Sequence, residues 1–489
     1  MRSMLTHRHL FIVAALAVLT AAGCAPENGR LGFFGQNGAQ KSTPATTQIA
    51  VLNALGQPIA NAKILIGLRA GVPFPGNELV TGADGRADLP AAWTDAQPVT
   101  IDAPGYVRAT WLAQTPASVS LKLRRAITPQ KLELKGQTSG FGNLQKDGWV
   151  DVGMVFPALN RGQLASLQVT DLISPEIDTI RPGFGQTIEL PSNITLPKQS
   201  ETYIFPITLD KPVYRAFLHE PRTYTMVAAH ARFPFEKVVD ELRGGKSFYD
   251  VLNYFEFKSA TLTPVNVTGR SQSQDLTVNK TKFSPALDIT APRFASNFAM
   301  LAVSVIEEQG LLYPTDVKSL KPQQKVRLVA PPNAPGLVVG ALRDSQAPTN
   351  GPEADAMSVV VAPNNQSSGF DFIDIPNAPK AVATASSMSL QTHPPKVPTA
   401  SIDAAVTYAM LTKIDTIQSG KMQIDSKLAV WDVYAPGWVN RMELPAITGL
   451  KGEHRWEVMF GAAAKGQSVP MGPGFAESVS HVAKSASKL

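Results

Sequence analysis

The stretch Gln48-Ile49-Ala50-Val51-Leu52 opens the part of the chain whose hydrophobic pattern decides the fold. Ile49 and Val51 stand two positions apart, a spacing that predicts a β-strand with one buried face. The turn signal Leu55-Gly56-Gln57-Pro58 ends this strand. The same alternation returns at Ile64, Ile66 and Leu68, at Val99 and Ile101, and at Val119, Leu121 and Leu123. The pattern predicts a small antiparallel β-sandwich over residues 48–123.

This segment resembles the carboxypeptidase regulatory-like family, whose modules are close in shape to immunoglobulin-like and transthyretin-like sandwiches. The matching stretches are Gly56-Gln57-Pro58-Ile59-Ala60-Asn61-Ala62, Thr81-Gly82-Ala83-Asp84-Gly85-Arg86-Ala87 and Val99-Thr100-Ile101-Asp102-Ala103-Pro104-Gly105-Tyr106. They share turn chemistry such as Asp84-Gly85, where glycine accepts a positive φ at no steric cost. Asn61 stands where the family usually has Gly. The resemblance implies a spacer, stalk or docking module without a catalytic group.

The first residues of the chain have the pattern of an export signal. Residues 10–22 form an apolar run interrupted only by Thr20, too short for the roughly 20 residues of a transmembrane helix. A basic front precedes this run, made of Arg2, His7, Arg8 and His9. The run ends in Ala21-Ala22-Gly23-Cys24, which resembles the lipobox of bacterial lipoproteins, with Ala21 where that family most often has Leu. An ordinary secretory signal is the alternative interpretation.

The lipobox resemblance implies cleavage between Gly23 and Cys24 and a diacylglyceryl group, with acyl chains such as palmitate, on Cys24. Several acyl chains hold a protein firmly on a membrane, since each buried methylene contributes about 0.8 kcal/mol. We therefore expect a lipid-anchored protein of the bacterial cell envelope. Ala25 follows the cysteine where many lipoproteins of the inner membrane carry Asp, which favours the outer membrane.

The composition agrees with a folded, exported chain. At about 150 residues per domain, 489 residues suggest around three domains. A net charge of +6 over this length is mild, and the basic residues are not clustered with aromatic ones, so we expect no nucleic-acid partner. Cys24 is the only cysteine, so the chain has no partner for an intramolecular disulfide.

The remaining pattern predicts a mainly β, multidomain protein. The predicted segments are a signal peptide (1–23), a lipidated tether (24–47), the sandwich (48–123), a β-rich module (124–260) with a helical insert (235–257), one or two further β-sandwich-like modules (261–450), and a last strand with a loose tail (451–489). In the insert, apolar residues with helical spacing predict one buried face: Phe248, Val251, Leu252 and Phe255. Two Pro-rich stretches, 331–356 and 376–400, are predicted to lack regular core elements, and they are either long loops on one face of a β domain or separators between two smaller modules.

The sequence offers little catalytic chemistry. Five histidines follow the signal, and none has the close spacing of a zinc site. The sequence contains no GxSxG elbow and no cysteine nucleophile, and its SxxK match, Ser485-Ala486-Ser487-Lys488, falls in the predicted loose tail, so we expect no catalytic residue and no cofactor. Carboxylates in two loops are weak candidates for calcium ligands, with solvated acidic loops as the alternative: Asp344, Glu353, Asp355, Asp371 and Asp374.

The sequence therefore predicts a membrane-anchored envelope lipoprotein and favours a binding role over an enzymatic one. Its partners would be the membrane, through Cys24, and an envelope protein or polysaccharide bound by the β modules. The alternative is an envelope hydrolase acting on glycosides or peptides. Paired carboxylates for such chemistry leave no local signature, because they converge only in the fold.

Overall fold

The computed structural model describes most of the chain from residue 47 onward. The described ranges are 47–69, 79–127, 130–142, 148–160, 173–174, 176–183, 186–197, 211–244, 251–308, 310–332, 336–345, 347, 351–363, 370–384, 386–397, 399–419, 422–446 and 450–489. These residues are mainly β and form several sheets, which confirms the predicted fold class. The predicted signal peptide, with Gly23 and Cys24, and the predicted tether up to residue 46 lie outside the described residues.

The N-terminal strands cover the segment predicted to be a sandwich. They are β1 (Gln48–Asn53), β2 (Lys63–Ile66), β3 (Leu79–Val80), β4 (Arg86–Asp88), β5 (Gln97–Asp102), β6 (Arg108–Gln114) and β7 (Val119–Leu123). Ile49, Val51, Val99 and Ile101 are fully buried, as the alternation predicts. Asn61 has a φ of 57°, a left-handed conformation that Asn tolerates better than most residues, which explains why it can replace a glycine.

The middle of the chain adds short strands and one α-helix. The elements are β8 (Leu132–Ser139), β9 (Trp149–Pro157), β10 (Ile173–Ser174), β11 (Ile177–Gly183), β12 (Gln186–Pro191), β13 (Ile194–Thr195), β14 (Val213–Leu218), β15 (Arg222–Pro234), α1 (Phe235–Arg243), a 3₁₀ turn (Leu252–Tyr254), β16 (Glu256–Val267), β17 (Ser271–Ser273), β18 (Leu276–Thr277), β19 (Thr281–Lys282) and β20 (Ser284–Thr290).

The C-terminal part contains the longest strands. Its elements are β21 (Phe298–Glu308), β22 (Leu311–Leu320), β23 (Lys325–Ala330), β24 (Gly336–Asp344), a 3₁₀ turn (Pro352–Asp355), β25 (Met357–Pro363), β26 (Lys380–Ala383), β27 (Ser387–Gln391), β28 (Ile402–Ser419), β29 (Met422–Pro436), β30 (Arg441–Pro445), β31 (Glu453–Ala464), a 3₁₀ turn (Phe475–Glu477) and β32 (His481–Lys488).

The chain divides into two compact units. The first contains Thr128–Ile373 and Asp415–Ser426, and the second contains residues 47–127 with Asp374–Ile414 and Lys427–Leu489. Residues 48–123, predicted to form a module of their own, thus share a unit with C-terminal strands. Alternation of apolar residues reveals which face of a strand is buried, but not which other strand pairs with it.

In the second unit, eight strands follow the order β32-β31-β28-β29-β6-β5-β2-β3. Strand β6 runs parallel to β29, with Arg108 opposite Trp431 and Trp111 opposite Tyr434. One face of this sheet packs on the small sheet β26-β27-β30 through a hydrophobic core that includes Trp431, from β29. A further sheet has the order β4-β1-β7, in which β1 and β7 are parallel.

The first unit contains several sheets, which are mainly antiparallel, although β17 runs parallel to β8. Four strands follow the order β22-β21-β24-β25, and the pair β20-β23 contributes to the same hydrophobic core. A second sheet has the order β13-β9-β15-β16-β19, and a third has the order β10-β14-β8-β17. The hairpin β11-β12 forms a two-stranded sheet.

The predicted helical insert (235–257) is confirmed in part: its first half contains α1, whereas its described end is a 3₁₀ turn followed by β16. Helix α1 begins directly after Pro234 and ends at Arg243. Val251, Leu252 and Phe255 are buried, so the predicted apolar face is core, whereas Phe248 lies outside the described residues.

The prediction of a loose C-terminal tail is wrong. Strand β32 pairs along its length with β31, and Ala483, Lys484 and Ser485 are buried. The hydrophobic pattern does not reveal this strand because its buried positions are largely alanine, serine and a lysine.

The prediction that the two Pro-rich stretches lack regular core elements is also wrong. Stretch 331–356 contains β24, with Val338 and Val339 fully buried. Stretch 376–400 contains β26 and β27, and Met388 and Leu390 of β27 belong to a core. The prolines lie outside these strands. A high proline content over about 25 residues therefore does not exclude short proline-free segments that form strands.

Candidate functional site

A buried acid–histidine pair lies on the sheet of β9 and β15. His230 on β15 is directly opposite Gly153 on β9, and Asp151 lies two residues from Gly153 on the same face. His230 Nε2 is 2.6 Å from Asp151 Oδ1. The other carboxylate oxygen, Oδ2, is buried without a hydrogen-bond partner among the described residues.

Side chains from β8, from the residues that follow it and from β13 surround this site. The ring of Phe141 meets the His230 ring edge to face, with centroids 5.1 Å apart. The hydroxyl groups of Thr138 and Thr195 are hydrogen-bonded to each other and occupy the space beside Gly153. A Cβ atom at Gly153 would lie 2.3 Å from the Thr195 hydroxyl, so this position requires glycine.

Asp151 and His230 have the geometry of an acid–base pair, but a substrate has little access to them. A carboxylate that binds one imidazole nitrogen fixes the orientation of the ring, as in a general base. His230 is 6% exposed and Asp151 is 4% exposed, so a substrate would reach them only if the surrounding side chains moved. The arrangement therefore suits a structural polar contact between strands better than an open catalytic centre.

A second buried polar cluster lies in the second unit. Arg124 donates two hydrogen bonds to Asp432, from Nη2 to Oδ1 at 2.6 Å and from Nε to Oδ2 at 3.1 Å. The Tyr408 hydroxyl donates to Asp432 Oδ1 at 2.7 Å. Tyr408 also contacts the rings of Tyr434 and Phe475. The fork of Arg124 is a strong, oriented contact that fixes the end of β7 against β28 and β29.

A third cluster surrounds Glu457 on β31. Its two oxygens are each 3.3 Å from a lysine, Oε1 from Lys484 and Oε2 from Lys427. Burial acts to raise the pKa of the Glu457 carboxyl, but the two ammonium groups outweigh it and hold the pKa below its ordinary value. Glu457 is therefore ionised at neutral pH.

The residues predicted from the sequence do not form a site in the described part of the chain. Asp344 ends β24, Glu353 and Asp355 lie in a 3₁₀ turn, and Asp371 and Asp374 are exposed. Among the described residues, no group of three or more His, Cys, Asp or Glu side chains is placed to hold a metal ion.

Sequence reasoning missed the Asp151–His230 pair, because the two residues are 79 positions apart and meet only through the pairing of β9 with β15.

No helix in the described ranges is long and apolar enough to cross a membrane. The fold thus defines a mainly β protein built from two units. No protein-family model matches the chain, and no curated protein sequence matches it either.

Proposed function

We propose that this protein is a lipid-anchored component of the bacterial cell envelope, attached to the outer membrane through acyl chains on Cys24. The observation that carries this proposal is the order of the basic front, the apolar run and Ala21-Ala22-Gly23-Cys24. This is the order that export, cleavage and lipid attachment require.

The anchor is tested by Cys24→Ala, since this is the only cysteine in the chain. We expect the variant to lose labelling by a palmitate analogue and to leave the detergent phase in a phase-separation assay. Ala25→Asp is the matched control, because it keeps the acceptor cysteine. This control should remain labelled and move towards the inner membrane. Wild-type protein that partitions as freely soluble would contradict the anchor.

For the body of the protein we propose a binding role without catalysis, towards an envelope protein or polysaccharide. Residues 48–123 would serve as a docking module of the carboxypeptidase regulatory-like type. A body made of β-sheets supports this proposal, because strand edges and surface loops bind partners without catalytic groups. Val382, on the short strand β26, is an example of an apolar side chain at such an edge, with 44% of its surface exposed.

The binding role is tested with purified, non-acylated protein and with intact envelopes. We expect saturable retention on peptidoglycan or on another envelope polymer, or cross-linking to one defined envelope protein, with the polymer left intact. The two Pro-rich stretches, 331–356 and 376–400, cannot be deleted to locate the binding surface, because each deletion would remove a core strand. Release of soluble fragments from the polymer would overturn the binding role.

An envelope hydrolase is the second candidate, and the contact between Asp151 and His230 is the observation that favours it. His230→Gln removes the basic nitrogen, and His393→Gln is the control at an exposed histidine. A hydrolase would lose turnover in the first variant and keep it in the second. The binding role expects neither variant to show turnover and both to retain the partner.

A further inference from the structure

A buried lysine lies at the base of the hairpin β11-β12. Lys211 is 7% exposed, and its Nζ donates to the backbone oxygens of Ser192, Ile194 and Val213. The same Nζ is 3.0 Å from Oδ2 of Asp178 on β11. The three carbonyl contacts hold the amine in one place, directly beside a carboxyl group.

The two oxygens of Asp178 have different surroundings. Oδ2 faces the primary amine of Lys211, whereas Oδ1 accepts a hydrogen bond from Nη2 of Arg215 on β14. Arg215 remains a cation at all relevant pH values, so it can stabilise negative charge that develops on Oδ1. The Asp178 side chain is 18% exposed, so a small molecule released there can reach solvent.

We propose that Lys211 and Asp178 become joined by an intramolecular amide bond between Nζ and the side-chain carboxyl carbon. One proton first passes from the Nζ ammonium to Oδ2, which gives a free amine and a neutral carboxylic acid. The Nζ lone pair then attacks the carboxyl carbon, and negative charge collects on Oδ1 beside Arg215. The new C–N bond remains as the bond from carbon to Oδ2 breaks. A second proton passes from Nζ to Oδ2, which leaves as water, so the ion pair becomes an amide plus water without any oxidant, reductant or co-reactant.

Geometry and charge both favour this reaction. Holding two reacting groups in contact replaces an encounter in solution, and effective concentrations of about 10⁵–10⁸ M are known for well-oriented groups. Burial lowers the pKa of the Lys211 ammonium and outweighs the opposing effect of Asp178. The lowered pKa increases the fraction of free amine.

Two other lysine–carboxylate contacts in the described ranges are less suitable. Glu457 is buried, but its oxygens are farther from Lys484 and Lys427, each at 3.3 Å. Lys131 and Glu176 are in contact at 2.5 Å, but the lysine is 59% exposed and therefore well hydrated.

The bond would give this chain a covalent cross-link that its cysteine content cannot provide. It would close the loop between Asp178 and Lys211, which restricts the unfolded chain as a disulfide does. The inference is independent of the proposed function, since it concerns only these side chains.

The test is peptide mapping of purified full-length protein by tandem mass spectrometry. We expect a branched peptide that joins the segments around Asp178 and Lys211, lighter by one water than the two linear peptides together. Lys211→Arg keeps the cation but should give only linear peptides, and Lys131→Arg is the matched control that should keep the branch. If only linear peptides are recovered from the folded wild-type protein, the proposal is wrong, whatever the folding of the variants.

Discussion

Glu457, Lys427 and Lys484 place three charges inside the second unit, on β31, β29 and β32. Removing charges from water is costly, and the cost is offset only while each charge keeps its partner. One carboxylate here serves two ammonium groups. Its loss would leave both lysines without this anion.

Glu457→Gln should therefore destabilise the protein at pH 7 by about 3–5 kcal/mol. Glu443→Gln is the control in the same unit, and it should cost less than about 1 kcal/mol because Glu443 and its partner Arg441 are both solvated. Denaturant unfolding followed by tryptophan fluorescence measures both effects. Equal losses in the two variants would contradict a buried role for Glu457.

The same contact predicts a dependence on pH. The folded-state pKa of Glu457 lies below the ordinary value of 4.5, so the folded protein binds fewer protons than the unfolded chain in this range. The stabilisation is fully present above pH 4.5 and is lost as the pH falls through the folded-state pKa. The difference in unfolding free energy between wild type and Glu457→Gln should stay constant from pH 7 to pH 4.5 and shrink below pH 4.5.

At the scale of elements, Gly153 on β9 leaves room for Thr138 of β8, which belongs to another sheet, and for Thr195 of β13, its neighbour in the same sheet. Gly153→Ala would place a Cβ 2.3 Å from the Thr195 hydroxyl and 2.7 Å from the Thr138 hydroxyl. We expect a loss of about 1–3 kcal/mol from this overpacking, measured by thermal or denaturant unfolding. Gly269→Ala, whose nearest neighbouring atom would be 3.9 Å away, should change stability by no more than about 0.5 kcal/mol. A variant as stable as this control would show that the strands separate easily.

Sequence reasoning found the strands that bury large residues with a period of two. It did not predict β6, because a bulge interrupts the alternation there and Ala113 adopts a φ of 56°. Strand β32 was missed because its buried residues are small or charged. The pair of Asp151 and His230 depends on strand register, which local spacing does not encode.

At the scale of the whole molecule, the N-terminal strands depend on C-terminal ones. Trp431 donates from its indole nitrogen to the Thr110 hydroxyl at 2.9 Å, and β6 pairs with β29. A fragment of residues 48–127 would leave the β6 edge and its polar groups without these partners.

We expect this fragment alone to lack a cooperative unfolding transition by circular dichroism. Addition of a second fragment, residues 374–489, should restore strand structure because it supplies β29. A sharp transition in the isolated fragment would instead show that residues 48–123 are a self-sufficient module.

The parallel pairing of β6 with β29 also sets the order in which the chain can assemble. Thr110 and Trp431 are 321 positions apart. At synthesis rates of about 5–20 residues per second, β6 emerges roughly 15–60 s before its neighbour exists. Its open edge must be kept from pairing with other chains during that interval, which is the task of a holding chaperone. A nascent chain that stalls before β29 would be prone to aggregate, although most of its residues have already been synthesised.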